Sequence, residues 1–355
     1  MKQIDKSKPV MVTGANGYVA SWVVKRLLEE GLTVHAAVRN PENKEKMAHL
    51  HKAAADSSGQ IKFFAGDLLK PDSYKAAMEG CELVYHTASP FTTDVKDPQK
   101  ELIDPAVNGT ENVLNSAKEV STVKRVIVTS SCAAIYTDAI DSVNAPGGKL
   151  TEEIWNSTAS LDYQPYSYSK TLAEKKAWEI QASQSAWDLV TVNMCLVLGP
   201  DLNPHRTTTE SMNILKMLGD GQMKMGAPKI GVGIVDVRDV AEAHYRAGFT
   251  PEAKGRYITS AHETDFLEMG TVLLPKNGNK FPLPKKALPK WLLMIVGPMT
   301  NKLLTRKFIR NNVNIPWKAD NSKIKEELGM SFRSLKETME DSFQVLIDEN
   351  ILKAK

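Results

Sequence analysis

The fold of this chain is decided by one stretch, Val10-Met11-Val12-Thr13-Gly14-Ala15-Asn16-Gly17-Tyr18-Val19-Ala20. Three apolar residues lead into a glycine turn, and the turn leads into a helix that ends near Glu30. Gly14 and Gly17 lie three apart, with the small Ala20 three further on, so the backbone can approach a bound anion and the helix can pack tightly on the strand. The first N–H groups of that helix would face the anion, usually a pyrophosphate in such units. The alternative is a turn whose glycines serve packing alone.

Short apolar runs alternate with helical patterns through the first half of the chain, which indicates a parallel sheet covered by helices on both faces. Strands are predicted at 10–12, 32–38, 61–65, 83–86, 125–129 and 189–198, with a strand passing into a helix over 234–247 and a short strand at 256–259. We therefore predict an α/β fold, a Rossmann doubly wound parallel sheet with a smaller C-terminal lobe. The nucleotide-binding domain would span 8–200 plus about 232–260, and a substrate-binding lobe would span about 201–231 and 261–355.

The composition narrows the class of protein. The chain has 355 residues, 45 basic and 42 acidic, so its net charge of +3 does not favour nucleic acid as a partner. Its three cysteines are scattered without metal spacing, and its seven histidines likewise predict no metal site. Residues 1–9 are polar and charged, so we expect no signal peptide ahead of the first strand. The longest apolar run, 291–299, is far below the roughly 20 residues that span a bilayer. We expect a soluble cytoplasmic protein with no membrane partner.

Two positions near strand ends bear on which nucleotide fits. Arg39 follows the second strand, where a carboxylate would otherwise bind the adenosine ribose, and Lys44 and Lys46 follow it closely. A guanidinium with a lysine suits a 2′-phosphate, so the pattern favours NADPH over NADH. The alternative is that these are solvated charges on a surface helix. Asp67 ends the third strand, where it would either accept the adenine amino group or form a turn.

Tyr166 and Lys170 are the predicted catalytic pair. Spaced by four residues on a helix, they share one face, and an adjacent ammonium would favour the phenolate and make the phenol a better acid. Their helix follows the fifth strand, so its N-terminus would lie at the carboxyl edge of the sheet, where such folds bind ligands. Ser131 ends the fifth strand at the same edge and is placed to donate a hydrogen bond to a carbonyl oxygen, with Ser130 as its rival.

Other patterns have simpler explanations. His35 and His86 fall in predicted strands and His244 falls on an amphipathic helix, so we expect satisfied core histidines. Residues 283–310 combine apolar side chains with basic ones, including Lys302 and Arg306. Prolines interrupt this segment, which favours a packed lid or cap over an element that lies on a membrane surface.

Taken in order, several motifs resemble those of the extended short-chain dehydrogenase/reductase superfamily. Within it, the chain is most similar to the branch of dihydroflavonol reductases, cinnamoyl-CoA reductases and microbial NADPH-dependent aldehyde and methylglyoxal reductases. The resemblance runs over about residues 8–260. The motifs that carry it lie at 12–22, Arg39 with Lys46, 66–68, 86–90, 129–131, 166–174 and 235–241.

The resemblance implies roles for individual residues. The catalytic set would be Ser131, Tyr166 and Lys170. The implied cofactor contacts are Gly14, Asn16, Gly17, Tyr18 and Val19 at the pyrophosphate, Arg39 and Lys46 at the 2′-phosphate, Asp67 and Leu68 at adenine, Thr87, Ala88 and Ser89 on the path to the nicotinamide, and Val197 after the sixth strand. Plant members have a proline after that strand, where this chain reads Met194-Cys195-Leu196-Val197. Residues that would bind a flavonoid are not recognisable.

The sequence thus predicts an NADPH-dependent reductase that acts on a small aldehyde or ketone, as a monomer or homodimer. Hydride would pass to the carbonyl carbon, Tyr166 would supply the proton, Lys170 would lower the pKa of Tyr166, and Ser131 would bind the oxygen. One alternative is an NAD-dependent nucleotide-sugar epimerase or hydroxysteroid dehydrogenase on the same scaffold. Another is a non-catalytic module that senses NADP(H).

Overall fold

A seven-stranded parallel sheet forms the centre of the computed structural model, which describes residues 2–89, 95–206, 209–300 and 304–354. Its strand order is β3-β2-β1-β4-β5-β6-β9, and a three-stranded sheet has the order β10-β8-β7. The strands are β1 Val10–Thr13, β2 Thr33–Val38, β3 Gln60–Ala65, β4 Leu83–His86, β5 Arg125–Ser131, β6 Asp188–Met194, β7 Leu196–Leu198, β8 Gly231–Asp236, β9 Gly255–Thr259 and β10 His262–Asp265. All pairs in the large sheet are parallel, which confirms the predicted doubly wound α/β fold.

Helices cover both faces of the large sheet. The α-helices of the described residues are α1 Tyr18–Glu29, α2 Lys44–Ala55, α3 Lys75–Met78, α4 Asp104–Glu119, α5 Ala139–Asn144, α6 Pro165–Ala182, α7 Glu210–Gly219, α8 Val237–Phe249, α9 Phe266–Thr271, α10 Leu274–Asn277, α11 Lys290–Thr300, α12 Arg306–Asn312, α13 Ser322–Leu328 and α14 Leu335–Asp348. The apolar sides of α1 and α8 share one core, and those of α4 and α6 share the core on the opposite face. A third core, between α7, α14 and the small sheet, forms the C-terminal lobe.

The alternation of side chains along β1 explains why its apolar run is continuous. Val10 and Val12 belong to the core under α1, whereas Met11 belongs to the core under α4, and all three are almost fully buried. Successive side chains of a strand point to opposite faces. A strand with helices on both sides therefore has no position at which a polar residue would reach solvent.

The predicted single strand over 189–198 is wrong, because the chain leaves the large sheet at Cys195. β6 pairs with β5 and β9, whereas β7 pairs with β8 in the small sheet. The N–H of Cys195 donates to the carbonyl oxygen of Thr259, 3.1 Å away, at the point of departure. The apolar run is continuous because both strands are buried, so hydrophobicity alone carries no sign of the break. The small sheet also includes β8, whose residues we assigned to the nucleotide-binding domain, and the domain bounds stay a prediction.

The apolar and basic segment 283–310 includes α11 and the first five residues of α12, and the two helices pack against each other through Leu293 and Ile309. The opposite side of α11 leaves Trp291, Ile295 and Met299 exposed. Within the described part of the chain, no helix is both long enough and apolar enough to cross a membrane. Pro90, the last residue of the motif at 86–90, and Lys302 of this segment lie outside the described residues.

A buried ion pair joins α6 to strand β9 of the large sheet. Glu174, on α6, accepts from Arg256 Nε at 2.7 Å, from Asn193 Nδ2 at 2.6 Å and from the hydroxyl of Ser130. The side chains of Glu174 and Arg256 are 1% and 7% exposed. Arg256 also donates to the carbonyl oxygens of Glu152 and Ile154. Burying a charge is costly unless its hydrogen bonds are satisfied, and here both partners are satisfied.

We expect Glu174→Gln to destabilise the protein by about 3 kcal/mol, because it removes one partner of a buried pair and leaves the Arg256 charge uncompensated. The measurement is urea unfolding, read as a lower midpoint at an unchanged slope.

The matched control is Glu29→Gln on α1, which removes the acidic partner of the exposed Lys25–Glu29 pair. That variant should unfold like the unmodified protein, since exposed ion pairs contribute little. A Glu174→Gln midpoint equal to that of Glu29→Gln would contradict a stabilising role for the buried pair.

Candidate active site

The turn between β1 and α1 is shaped so that only glycine fits closely. Gly14 has a φ of +58°, and a Cβ atom there would lie 3.0 Å from the Cβ of Ala88. Gly17 precedes α1, its N–H donates to the carbonyl oxygen of Gly14, and it has no side chain to cap the helix. Ala20 is buried one turn into the helix. The turn therefore presents backbone at the start of a helix, the arrangement that binds a pyrophosphate.

The residues that follow the glycines differ in where they point. Asn16 and Val19 are half-buried beside the turn. The side chain of Tyr18 points away from it into the core of the C-terminal lobe, where its hydroxyl donates to the carbonyl oxygen of Gly199 at 2.9 Å. Burial raises the pKa of Tyr18 well above its usual value. A contact between Tyr18 and a pyrophosphate would therefore come from its backbone N–H.

At the predicted adenosine end, the two basic side chains are exposed. Arg39 follows β2 directly, and Lys46 lies in the first turn of α2, where its N–H donates to Asn43 Oδ1 at 3.1 Å. Lys44 at the start of the helix is also exposed. The exposed positions suit a charged phosphate at the protein surface, and they also suit solvated charges.

Asp67 forms a turn. Its Oδ1 accepts from the N–H of Leu69 at 3.0 Å, and its own N–H donates to Ser73 Oγ at 3.0 Å. Leu68 is half-buried, and its carbonyl oxygen accepts from Asn112 Nδ2. The turn that we considered for Asp67 is thus present, and a contact with adenine stays a prediction for both Asp67 and Leu68.

Thr13 fastens the end of β4 to the glycine turn. Its hydroxyl oxygen accepts from the N–H groups of Thr87 and Ala88, at 3.0 and 2.9 Å. The hydroxyl proton is then left to donate to His86 Nδ1, 3.1 Å away, which assigns the proton of a neutral His86 to Nε2, facing Thr110. Burial lowers the pKa of His86 to about 3, so this histidine is neutral, as expected for a satisfied core residue.

Ser131, Tyr166 and Lys170 are brought together at the carboxyl edge of the sheet. The hydroxyls of Ser131 and Tyr166 are hydrogen-bonded to each other. Lys170 Nζ donates to Ser89 Oγ at 2.9 Å and lies 5.8 Å from the centroid of the Tyr166 ring. Four residues from three separate stretches of sequence, including Ser89, therefore surround one point, at which a small substrate would meet a hydroxyl, a phenol and an ammonium.

The direction of the side chains separates the two candidate serines. Ser130 donates to Glu174 beneath α6, whereas Ser131 faces Tyr166 and caps the turn that follows, accepting from the N–H of Ala133 at 3.1 Å. Neighbouring residues of a strand point to opposite faces, so only one of the two can reach the side on which Tyr166 lies. Ser131 occupies that side.

The expected lowering of the Tyr166 pKa is not what the geometry produces. Although 37% of the residue surface is exposed, burial around the phenol raises the pKa of Tyr166 to about 12, and the hydrogen bond with Ser131 only partly opposes this. Burial also lowers the pKa of Lys170 to about 8, opposed by the negative charge of Glu174. The Tyr166 pKa rises because desolvation disfavours the charged forms of both Tyr166 and Lys170. The Lys170 ammonium also points to Ser89.

The remaining predicted contact, Val197, lies in β7 with its side chain 6% exposed in the core of the C-terminal lobe. A cofactor contact at this residue stays a prediction.

Sequence reasoning missed Glu174 and Arg256. Glu174 lies four residues beyond Lys170, so the repeated spacing of Tyr166, Lys170 and Glu174 along one helical face was an available signal. No local sequence signal pointed to Arg256, because its partner Glu174 lies 82 residues away in the chain. A cavity of about 20 Å³ lies between Lys170, Glu174 and His86, with room for one water molecule.

Comparison with known proteins establishes the family of this chain. Residues 10–258 match the model of the NAD dependent epimerase/dehydratase family. Cinnamoyl-CoA reductase 1 of Arabidopsis thaliana is 38% identical over 354 residues, covering 97% of this chain and 91% of that protein. Anthocyanidin reductase of the same plant is 36% identical over 280 residues, covering 76% of this chain and 81% of that protein.

A solved structure supports the same assignment. The crystal structure of yeast methylglyoxal/isovaleraldehyde reductase, complexed with NADPH, superposes with a TM-score of 0.75 at 29% identity, covering 96% of this chain and 99% of that one. The chain therefore belongs to the NAD-dependent epimerase/dehydratase family, the extended short-chain dehydrogenases/reductases.

Proposed function

We propose that this protein is an NADPH-dependent reductase that converts an aldehyde or ketone to the alcohol. The observation that carries the proposal is the meeting of Ser131, Tyr166 and Lys170 at the sheet edge. Reductase relatives add support, since their names include reductases of cinnamoyl-CoA and of methylglyoxal. The glycine turn fits a dinucleotide, because it presents backbone N–H groups at the start of α1, where no side chain caps the helix and a pyrophosphate can bind.

NADPH, when bound, would supply a hydride to the carbonyl carbon. The Ser131 hydroxyl is placed to donate a hydrogen bond to the carbonyl oxygen as negative charge develops there. Tyr166 then gives its phenolic proton to that oxygen. With a pKa of about 12 the phenol is fully protonated at neutral pH, so it is available as the proton donor.

Lys170 stabilises the phenolate that the proton transfer leaves behind. Its ammonium lies 5.8 Å from the centroid of the Tyr166 ring, so it attracts the phenolate once that anion forms, while burial keeps the pKa of the resting phenol high. The phenolate is reprotonated from solvent after turnover. By the same proposal, Arg39 and Lys46 bind the 2′-phosphate, and Asp67, Leu68, Thr87, Ala88, Ser89 and Val197 line the rest of the cofactor site.

The first test is Tyr166→Phe. We expect a fall in kcat of at least about 100-fold, because the proton donor is lost, with NADPH affinity retained. Turnover is measured as NADPH oxidation with a small aldehyde, and affinity by the change in NADPH fluorescence. Tyr168→Phe, two residues along the same helix, is the matched control and should keep its kcat. Turnover by Tyr166→Phe equal to that of the control would contradict the proposed role.

Cofactor preference tests the adenosine end. Arg39→Asp should lower the ratio of kcat/KM for NADPH to that for NADH by about 10-fold or more, because a carboxylate repels a 2′-phosphate and accepts from a ribose diol. Lys52→Asp, exposed near the far end of α2, makes the same change of charge and should leave the ratio unaltered. An unaltered ratio in Arg39→Asp would exclude the phosphate contact.

The pH profile tests Lys170. Because burial lowers its pKa to about 8, the ammonium that stabilises the phenolate is present below pH 8 and is lost as the pH rises through that value. We therefore expect kcat/KM for NADPH, which reports groups of the free enzyme, to fall above about pH 8. Tyr166 and His86, with pKa values of about 12 and 3, titrate outside this range. A flat profile from pH 6.5 to pH 9.5 would be the contrary result.

A further inference from the structure

Two cysteines lie side by side directly behind the proposed catalytic serine. Cys132 follows Ser131 at the end of β5, and Cys195 follows Met194 at the end of β6, where Ser131 and Met194 are partners in the parallel register. Neighbouring strands lie about 4.8 Å apart, within the range of Cα separations that a disulfide joins. Both cysteines are free thiols, and their Sγ atoms lie 2.9 Å apart.

The two thiols differ in their surroundings. Cys132 is 2% exposed, and its thiol donates to the carbonyl oxygen of Asn193 at 3.1 Å. Burial raises the pKa of Cys132 well above its usual value. Cys195 is half-buried at the point where the chain passes between sheets. An oxidant therefore reaches Cys195 first, and Cys132 is the thiol that resolves the product.

We propose that Cys132 and Cys195 form a reversible disulfide when the protein meets a peroxide, and that this bond lowers turnover. The Cys195 sulfur attacks a peroxide oxygen, the O–O bond breaks, and water leaves once the oxygen is protonated. Cys195 is thereby oxidised to a sulfenic acid. The Cys132 sulfur then attacks the Cys195 sulfur, the S–O bond breaks, and the thiol proton leaves with the hydroxide as a second water. A dithiol reductant reverses the change.

The effect on turnover follows from the residues beside the two cysteines, and it rests on the proposed function. Formation of the disulfide does not depend on the proposed function. The Sγ atoms must close from 2.9 Å to about 2.05 Å, which draws together the residues that follow Ser131 and Met194. Ser131 is held on both sides of that joint, by the N–H of Ala133 and by the carbonyl oxygen of Met194. A small displacement of the Ser131 hydroxyl lowers the rate of the reaction, so the oxidised form reacts more slowly.

Thiol counting tests the bond itself. The full chain is treated with hydrogen peroxide, unfolded, and titrated for free thiols, and its disulfide is located by mass spectrometry of peptides. We expect the three thiols to fall to one, with Cys132 joined to Cys195 and Cys81 left reduced. Cys81 is fully buried, and burial raises its pKa to about 12, which makes it the internal reference. Three thiols after treatment, or a disulfide that includes Cys81, would overturn the proposal.

Activity tests the consequence. Peroxide should lower kcat by about 10-fold, and dithiothreitol should restore it. Cys195→Ala should keep its own kcat under the same treatment, while Cys81→Ala, the matched control, should lose activity as the unmodified chain does. Equal losses in Cys195→Ala and Cys81→Ala, or a disulfide formed with no change in kcat, would overturn the regulatory role. Thiol counts need no turnover, so failure of the proposed reaction remains distinguishable from failure of the disulfide.

Discussion

The site depends on the hydrogen bonds that hold the buried carboxylate of Glu174 between α6 and the large sheet. Removing a charge from water is expensive, and the chain offsets that cost with donors from three strands: Ser130 of β5, Asn193 of β6 and Arg256 of β9. Those hydrogen bonds fix the rotation of α6 about its axis and its position on the sheet. Because side chains on one helical face move together, holding Glu174 also holds Lys170 and Tyr166, one and two turns earlier.

The same carboxylate decides which serine faces Tyr166. It engages Ser130, and the alternation of the strand then directs Ser131 to the opposite side, toward Tyr166. It also opposes the desolvation of Lys170, whose pKa would otherwise fall further. One buried charge thus links the position of α6, the orientation of Ser131 and the ionisation of Lys170.

The first half of the fold was predictable because local patterns and tertiary structure agree there. The run from Val10 to Ala20 combines a buried strand, a glycine turn and a helix start, and each is written in consecutive residues. The break at Cys195 was not predictable, because strands in two different sheets are equally apolar. Tyr166, Lys170 and Ser131 were predicted from spacing and position along the chain, and the structure brings them together, while their roles stay a prediction.

What sequence could not supply was the direction of side chains and the effect of burial. In the sequence, Ser130 and Ser131 cannot be distinguished, because only the folded chain places Glu174 beside Ser130. Likewise, the side chain of Tyr18 points into the core because its hydroxyl bonds to Gly199, far along the chain. The rise in the Tyr166 pKa has the same origin, since proximity to Lys170 is visible in the sequence but desolvation is not. Arg256 illustrates the limit most clearly, because its role exists only once β9 lies beside β6.

The most direct test of the central claim is hydride transfer itself. NADPH labelled with deuterium at the nicotinamide C4 position is incubated with the protein and a panel of aldehydes, α-keto esters and dihydroflavonols. We expect at least one carbonyl to be reduced, with one alcohol formed per NADPH oxidised and deuterium on the carbinol carbon. NADPH that binds but is not oxidised by any member of the panel, or a tightly bound NAD carried through purification, would contradict it.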